Sequence, residues 1–451
     1  MTLSEINATL KEIQVSPVKS LGQNFLHDQN LARWIVDQAE IEAADFVVEI
    51  GPGLGALTEL ILAKGARVLA IEKDGRLANF LRTRLGGEAL EVSHSDAMDF
   101  DPRTLFAHRT VKLVGNLPYY ISSQLILKFL HWPAHISLAV LMLQKEMARR
   151  LTATPKSKDY GALTLQLHLH YQIEYLRTIP ASVFLPRPEV DSAVIRIVPR
   201  SAGELPPRDD ATFLQLVRQG FSQRRKQLRN LVGERVPDWP AAVQELGVDE
   251  RARAEDLTLQ QWIKLANLVC PIVLPEPDKA AAELFPVVDE EDHVIGSAPR
   301  PLVHGDNLRH RAVHILIFNS TGELFLQKRS EWKDRHPGLW DSSAAGHVDA
   351  GESYDATAVR ELEEELGIKT TLERVAKLPA SDRTGQEFIW VYRGQHDGPL
   401  RMERAEIEAG EYFPASTVTQ WIVANPGEFA PGFVEAWKAY QAANSPNGDG
   451  V

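Results

Sequence analysis

Up to about residue 200, short β-branched runs alternate with helical patterns, and this alternation constrains the fold more than any other feature of the chain. "FVVEI" (46–50), "RVLAIE" (67–72), "ALEVSH" (89–94), "KLVGN" (112–116) and "SLAVLML" (137–143) read as strands, with segments such as "GALTELILAKG" as the helices between them. Strands separated by helices predict an α/β fold with a mostly parallel sheet covered on both faces. After residue 283 the pattern changes to hairpin-like strands, "AVHILIFNSTGELFLQKR" with "NSTG" as the turn, followed by one strongly acidic helix. No internal repeat is present.

Two such patterns do not share one core. At 451 residues the chain is also too long for one, given roughly 150 residues per domain. The proline-rich "CPIVLPEPDKA" (270–280) follows the amphipathic "LTLQQWIKLANLV" and reads as the main linker, and "RSAGELPPRDD" (200–210) separates a β-rich region from a helical one. The expected organisation is a domain over 1–200, a small helical domain over 201–270, a linker at 271–282, a second α/β domain over 283–443 and a disordered tail from 444 to 451.

The composition, 44% hydrophobic and 24% charged, is that of a globular protein. No apolar run approaches the ~18 residues of a membrane span, and "MTLSEINATLKEIQVSP" lacks the blocks of a signal peptide, so a cytoplasmic location is expected. A monomer is the default expectation. A single cysteine, Cys270, excludes an internal disulfide and a thiolate zinc site. The net charge of −12 is uneven: residues 1–270 stand at +1 and residues 271–451 at −13. Residues 211–233 hold Arg218, Arg224, Arg225, Lys226 and Arg229 and no acid.

In "VVEIGPGLGALTE", Gly51, Gly53 and Gly55 lie between a strand and a helix, where glycine permits a tight turn and close approach to a nucleotide. With Ala56 in the last place the loop also fits a dinucleotide fingerprint, and Glu72 would serve NAD as a ribose-binding acid. Glu49, Glu72, Asp96 and Asn116 fall at the carboxyl ends of successive strands, the edge where open α/β folds bind ligands. The stretch "GNLPYYISS" then has a chemical use. An adenine amine is a poor nucleophile because its lone pair is delocalised, and acceptors that draw its hydrogens out of plane restore it. The Asn116 amide oxygen and the Leu117 carbonyl are candidate acceptors, Pro118 sets the turn, and Tyr119 offers a ring to stack on the base.

These segments, with "SLGQNFLHD", "LQKEMARRL", "YGALTLQL", "VFLPRPEVDSAV" and "FSQRRKQLRN" in the same order, resemble the bacterial small-subunit ribosomal RNA adenine dimethyltransferase family across residues 16–268. The resemblance implies a Rossmann-like methyltransferase with a small helical C-terminal domain. It implies transfer of methyl groups from S-adenosyl-L-methionine to N6 of two adjacent adenines in a hairpin near the 3′ end of small-subunit rRNA, on an immature subunit. It further implies that Asn24 and Leu26 help hold the cofactor, with Gly51 and Gly53 in its loop. Glu72 would bind the ribose, Asp96 the adenine, and Asn116 would lie between cofactor and target. Phe184 would give the flipped base a second aromatic face, and Arg224, Arg225 and Lys226 would meet RNA phosphate. Rival readings are a large-subunit rRNA adenine methyltransferase, an assembly factor with incidental catalysis, and, most distantly, an NAD dehydrogenase.

"GHVDAGESYDATAVRELEEELGI" (346–368) fits G-x5-E-x7-R-E-U-x-E-E-x-G-U, with U apolar, at every specified position. The seven fixed positions match by chance on the order of 10⁻⁸ at average residue usage. Glu361, Glu364 and Glu365 sit at i, i+3 and i+4 on one helix face, where three carboxylates repel unless a cation joins them, and oxygen ligands favour Mg²⁺ or Mn²⁺. Such a metal would grip a diphosphate and polarise water, with Arg360 orienting Glu361 as the catalytic acid–base group. The segment resembles the Nudix hydrolase family over residues 283–440, implying a mixed sheet between helices and a nucleoside-diphosphate-type substrate. Lys328 and Arg329 are candidate phosphate contacts. "HRAVHILIFNSTGELFLQKRS" and "HPGLWDSSAAGHV" also resemble the isopentenyl-diphosphate isomerase branch, whose catalytic cysteine has no counterpart after Cys270. A silent nucleotide-sensing module is the remaining alternative.

Overall fold

The computed structural model describes residues 1–17, 22–201, 203–273, 281–333 and 335–444. The chain divides into two compact units, Met1–Pro271 and Ile272–Val451. Most of the expected linker (274–280) and tail (445–451) lie outside the described residues.

In the first unit, β1 (Phe25–Leu26) is followed by β2 (Phe46–Ile50), β3 (Arg67–Glu72), β4 (Leu90–His94), β5 (Val111–Asn116), β6 (Ile136–Gln144), β7 (Tyr171–Ile179), β8 (Phe184–Leu185) and β9 (Ser192–Pro199). Seven of them form one sheet in the order β4-β3-β2-β5-β6-β9-β7. The five strands read from the sequence are its parallel part, and β9 and β7 extend it antiparallel. Adjacent residues of β2 serve opposite faces. Val48 and Ile50 join the core with Leu125 and Phe129, while Val47 packs with Ile35 and Ile61. Leaving both faces apolar is what a parallel sheet between helix layers requires. No helix among the described residues is long and apolar enough to cross a membrane.

The helical segment after residue 200 ends in the helix Leu259–Val269, capped by Thr258 through a capping box. Its core does not begin at the composition break. Tyr160, Leu165 and Leu169 pack with Phe213, Leu216 and the buried Trp262, and the Tyr160 hydroxyl donates to the Leu257 carbonyl at 2.9 Å. The break at 200–210 marks a change of secondary structure, and residues 153–169 supply part of the apolar surface that short helices need to bury.

The second unit runs β10 (Leu284–Val288), β11 (Val294–Pro299), β12 (His310–Phe318), β13 (Glu323–Arg329), β14 (Trp340–Asp341), β15 (Ala344–His347), β16 (Glu373–Leu378), β17 (Glu387–Gln395) and β18 (Ile407–Pro414). β10 and β11 form a separate hairpin. The others form a mixed sheet, β14-β13-β12-β17-β16, with β15 also on β12 and β18 on β13. The "NSTG" turn closes β12 onto β13, with Gly322 at φ +80°. Val313, Ile315 and Ile317 face the acidic helix Tyr354–Leu366, while Phe318 stacks on Tyr440 of the helix Pro431–Ala443 on the other face.

Asp292 ties the β10–β11 hairpin to this sheet. It accepts hydrogen bonds from Arg311 Nε (2.7 Å), Tyr354 Oη (2.9 Å) and Lys377 Nζ (2.5 Å). Burial alone would raise its carboxyl, but these three donors hold it below its ordinary 3.8. Asp292→Ala leaves two cations and a phenol without their shared acceptor and is expected to cost about 3–5 kcal/mol, read as a lower urea midpoint for the second unit. A depressed carboxylate pKa contributes stability above its unfolded value and loses it as pH falls through the folded one. The gap between variant and parent should therefore be full at neutral pH and close below about pH 4.

Candidate functional site

In the first unit the glycine loop turns the chain at the carboxyl edge of β2. Gly51 and Gly53 have φ +67° and +58°, a region that side chains other than glycine rarely adopt, and a Cβ on Gly53 would stand 3.1 Å from the Phe25 ring. The Gly53 N–H donates to Glu72 Oε2 at 3.1 Å and the Asp74 N–H to Glu72 Oε1 at 2.9 Å. Glu72 is buried, and desolvation raises its carboxyl despite these donors. Glu49, one residue from the end of β2, is also buried. Desolvation raises it to about 7, partly offset by the Thr58 hydroxyl, which donates to it at 2.6 Å.

Asp96 behaves oppositely. Lys73 Nζ lies 2.6 Å from its Oδ2 and the Met98 N–H 2.9 Å from its Oδ1, and these bonds hold the carboxyl below its ordinary value. Asn116, the last residue of β5, donates from Nδ2 to the Asn24 carbonyl at 3.0 Å. That bond fixes the amide plane and leaves Oδ1 as its acceptor.

One cleft takes in Asn24, Leu26, Glu49, Gly51, Gly53, Glu72, Asp96, Asn116 and Pro118. The polar residues read from the strand ends therefore line one cleft. Two expected aromatic walls are not on this cleft. Tyr119 is half-buried, with its hydroxyl 2.5 Å from the Ser192 hydroxyl on β9. Phe184 pairs with Leu26 across β1 and β8, and its ring is 3% exposed in the core beside Val194. The Leu117 side chain is buried, with its N–H on the Met142 carbonyl. Tyr120, which the motif "NLPYY" contains but to which the sequence assigns no role, and Lys73, which belongs to no spacing pattern, also line the cleft. Arg224, Arg225 and Lys226 are exposed between the helices Asp210–Gly220 and Arg229–Val232. The acid-free run is not free of acids in space: Arg224 pairs with Glu255 and Arg229 with Glu250, each at 2.8 Å.

In the second unit, β15 leads through a loop into the helix Tyr354–Leu366, and the box lines a cavity of about 730 Å³. A Cβ on Gly346 would fall 2.1 Å from Glu361 Cδ, so only glycine admits that carboxylate against β15. Gly367, at φ +66°, ends the helix with its N–H on the Glu363 carbonyl. Arg360 donates to Glu361 (2.8 Å), Glu364 (3.0 Å) and Glu352 (3.0 Å). Glu365 is buried and accepts from Gln327 Nε2 at 3.0 Å. Burial raises Glu361 to about 7 and Glu365 to about 8, so both would gain from a cation.

The three glutamates share the helix but not one point. Glu364 is 59% exposed, and Arg360 stands where mutual repulsion would otherwise act. Their chemistry, adjacent carboxylates on a half-buried helix face, fits a hard divalent ion once Arg360 yields ligand atoms to it. Lys328 is paired with Glu408 at 3.0 Å, whereas Arg329, on Asp341 at 2.9 Å, lines the cavity. Ring nitrogens of His304, His310 and His347 come within 4.8 Å of one another, and Glu387 Oε1 is 3.3 Å from His347 Nε2. Desolvation lowers His304 to about 3 and His347 to about 4, so both are neutral at pH 7. These residues come from distant segments, and no spacing rule finds them.

Residues 16–270 match the family described as ribosomal RNA adenine dimethylase, and residues 308–433 match the NUDIX domain. A ribosomal RNA small subunit methyltransferase A from Halothermothrix orenii is 40% identical over 273 residues, 58% of this chain and 91% of that protein. One from Magnetococcus marinus is 41% identical over 273 residues, covering 60% and 98%. The crystal structure of a dimethyladenosine transferase from Plasmodium falciparum is 26% identical, with a TM-score of 0.46, covering 53% of this chain and 95% of that one. The two family matches and the curated relatives, with the glycine loop, the acids on one sheet edge and the intact glutamate box, establish that the chain belongs to the ribosomal RNA adenine dimethylase family and carries a NUDIX domain in its second unit.

Proposed function

We propose that the first unit dimethylates N6 of two adjacent adenines in the 3′-terminal hairpin of small-subunit rRNA, and that the second is a metal-dependent hydrolase of a nucleoside-diphosphate-linked compound. The observation that carries the first reading is Asn116, which lines the cleft shared by Glu72 and Asp96 and whose Nδ2 donates to the Asn24 carbonyl, leaving its amide oxygen as an acceptor. Relatives named small subunit methyltransferase A favour that subunit over the large one. S-adenosyl-L-methionine supplies an electrophilic methyl group, whose bond to sulfur breaks with its electron pair as the bond to N6 forms. Asn116 Oδ1 and the Leu117 carbonyl accept the N6 hydrogens and turn the lone pair toward that methyl group, and the spare proton leaves to solvent. Glu72 and Asp96 accept from the ribose hydroxyls and the cofactor adenine, while Asn24, Leu26, Gly51 and Gly53 shape the wall. Tyr119 and Phe184 stand behind the wall and would have to reach the flipped base from the β8–β9 side. Arg224, Arg225 and Lys226 meet RNA phosphate, a contribution that falls with salt.

The test is transfer of labelled methyl groups to small subunits lacking the modification, followed by nucleoside analysis. Dimethyladenosine at adjacent positions near the 3′ end is the expected product, and label in large-subunit RNA instead would overturn the assignment. Glu72→Ala removes the acceptor for the ribose and is expected to weaken cofactor binding by about 10- to 150-fold, the range of a hydrogen bond to a charged group. Unchanged affinity by calorimetry would refute that role.

In the second unit, Glu361, Glu364 and Glu365 would hold Mg²⁺ or Mn²⁺, which offsets the charge of a diphosphate. Arg360 orients Glu361 through its 2.8 Å bond, and Glu361 accepts the proton of the water that displaces one phosphate from the other. Screening nucleoside-diphosphate-linked compounds for metal-dependent turnover tests this reading.

A further inference from the structure

Strand β12 sends alternate side chains to opposite faces of the second sheet. Val313, Ile315 and Ile317 meet the acidic helix, whereas His314 goes to the face of the helix Pro431–Ala443, where a Cβ on Gly432 would stand 3.0 Å from its Nε2. Across the strand pair His314 stands opposite Ala345 of β15, whose other edge pairs with no strand among the described residues. The cavity lined by the glutamate box also takes in His314, Ala345 and Gly432, so it reaches round that edge from one face of the sheet to the other.

His314 is 5% exposed, and its ring is held by Ser342, whose Oγ lies 2.6 Å from Nδ1. The Ser342 side chain is fully buried, and among the described residues Nδ1 is the acceptor its hydroxyl meets. In the neutral imidazole Nδ1 therefore accepts and the proton sits on Nε2. No hydrogen-bond partner meets Nε2 among the described residues. Beside it, Gly432 follows Pro431 at the start of the helix, where an N–H has no acceptor within the helix, and no side chain caps that end. Two donors thus converge on one place. They suit an acceptor that has two lone pairs and no hydrogen of its own, which is a carbonyl oxygen. The anionic part of a nucleoside-diphosphate substrate belongs to the box, which leaves its base for this end of the cavity. An oxo group on the base offers the lone pairs, while an exocyclic amine would turn hydrogens toward the two donors.

We propose that His314 Nε2 and the Gly432 N–H select a base with an oxo group, such as hypoxanthine or uracil, over its counterpart with an amine, adenine or cytosine. This rests on the reading that the second unit acts on a nucleoside-diphosphate-linked compound. Ser342 is then a positioning residue, which acts by fixing the tautomer of His314.

The experiment is calorimetric titration of the α,β-methylene analogues of IDP, ADP, UDP and CDP, whose bridge resists hydrolysis, into the full chain with Mg²⁺. S-adenosylhomocysteine is present throughout to fill the cleft of the first unit. In one pair or both, the oxo member is expected to bind about 5- to 150-fold tighter than the amino member, the cost of leaving a buried donor unpaired. His314→Phe keeps a ring but removes the donor and should abolish that preference. Gly432→Ala adds a Cβ that crowds Nε2 at a position without a left-handed φ, and should reduce the preference without lowering the melting temperature. It keeps the proposal testable should His314→Phe fail to fold. Equal affinities within both pairs, or a preference that survives the substitutions, would overturn the proposal alone. If none of the four analogues binds, the reading of a nucleoside-diphosphate substrate fails and the proposal with it.

Discussion

Asn116→Ala is expected to lower the rate of methyl transfer by about 100- to 1,000-fold, the cost of removing one preorganised hydrogen-bonding group from a reacting centre. The argument is geometric. Asn116 ends β5, and its Nδ2 bond to the Asn24 carbonyl holds the amide so that Oδ1 is available to the cleft. An acceptor already in place does not reorganise when N6 turns its hydrogens toward it. The loss should fall on kcat, because the acceptor matters when N6 changes geometry and little when cofactor binds. Cofactor affinity should stay within a few-fold of the parent, Glu72, Asp96 and the glycine loop being untouched. Single-turnover kinetics with saturating cofactor and subunits separate the two quantities. An unchanged single-turnover rate would remove Asn116 from the chemistry. If subunit maturation in cells survives a dead enzyme, the protein acts chiefly as an assembly factor.

Glu361→Gln is expected to lower metal-dependent diphosphate hydrolysis by about 100- to 1,000-fold while leaving methyl transfer as it is. Glutamine keeps the shape that Gly346 accommodates and an oxygen for Arg360, so the helix and loop have no steric reason to move. What is lost is a charge for the metal and a base for water. In the parent that charge is costly, since burial beside Glu364 raises the carboxyl to about 7. The neutral variant should therefore melt no lower than the parent without metal, and should gain less stability from Mg²⁺. Activity lost together with stability would point to misfolding. A parent without turnover across a broad panel of diphosphates would leave the second unit a sensing or docking module.

The pattern of the chain made much of both sites legible. The runs at 46–50 and 67–72 are strands with those bounds, and three more differ at the ends by one residue. Glu72, Asp96 and Asn116 could be placed on one edge because parallel strands joined by helices all point their carboxyl ends the same way. The glutamate box was legible because a helix converts the spacing i, i+3, i+4 into one face without help from the rest of the fold.

Other features depend on residues far apart in the chain. Arg224 and Arg229 stand in an acid-free run, yet Glu255 and Glu250 fold back to pair with them. His304, His310, His347 and Glu387 converge from four segments that share no spacing. The composition break near 200 did not bound the helical core, since burial and not composition decides which apolar residues join it.

By itself, then, the sequence determined the strand edge, the glycine loop and the helix face of glutamates, because each follows from local periodicity and spacing, while its ordered motifs carried the resemblance to the family. Only the tertiary structure decided that Tyr120 rather than Tyr119 lines the cleft and that Phe184 packs in the core. Those outcomes turn on which side of β5 a turn faces and on strand pairing between β1 and β8. A linear pattern does not encode such contacts between distant residues.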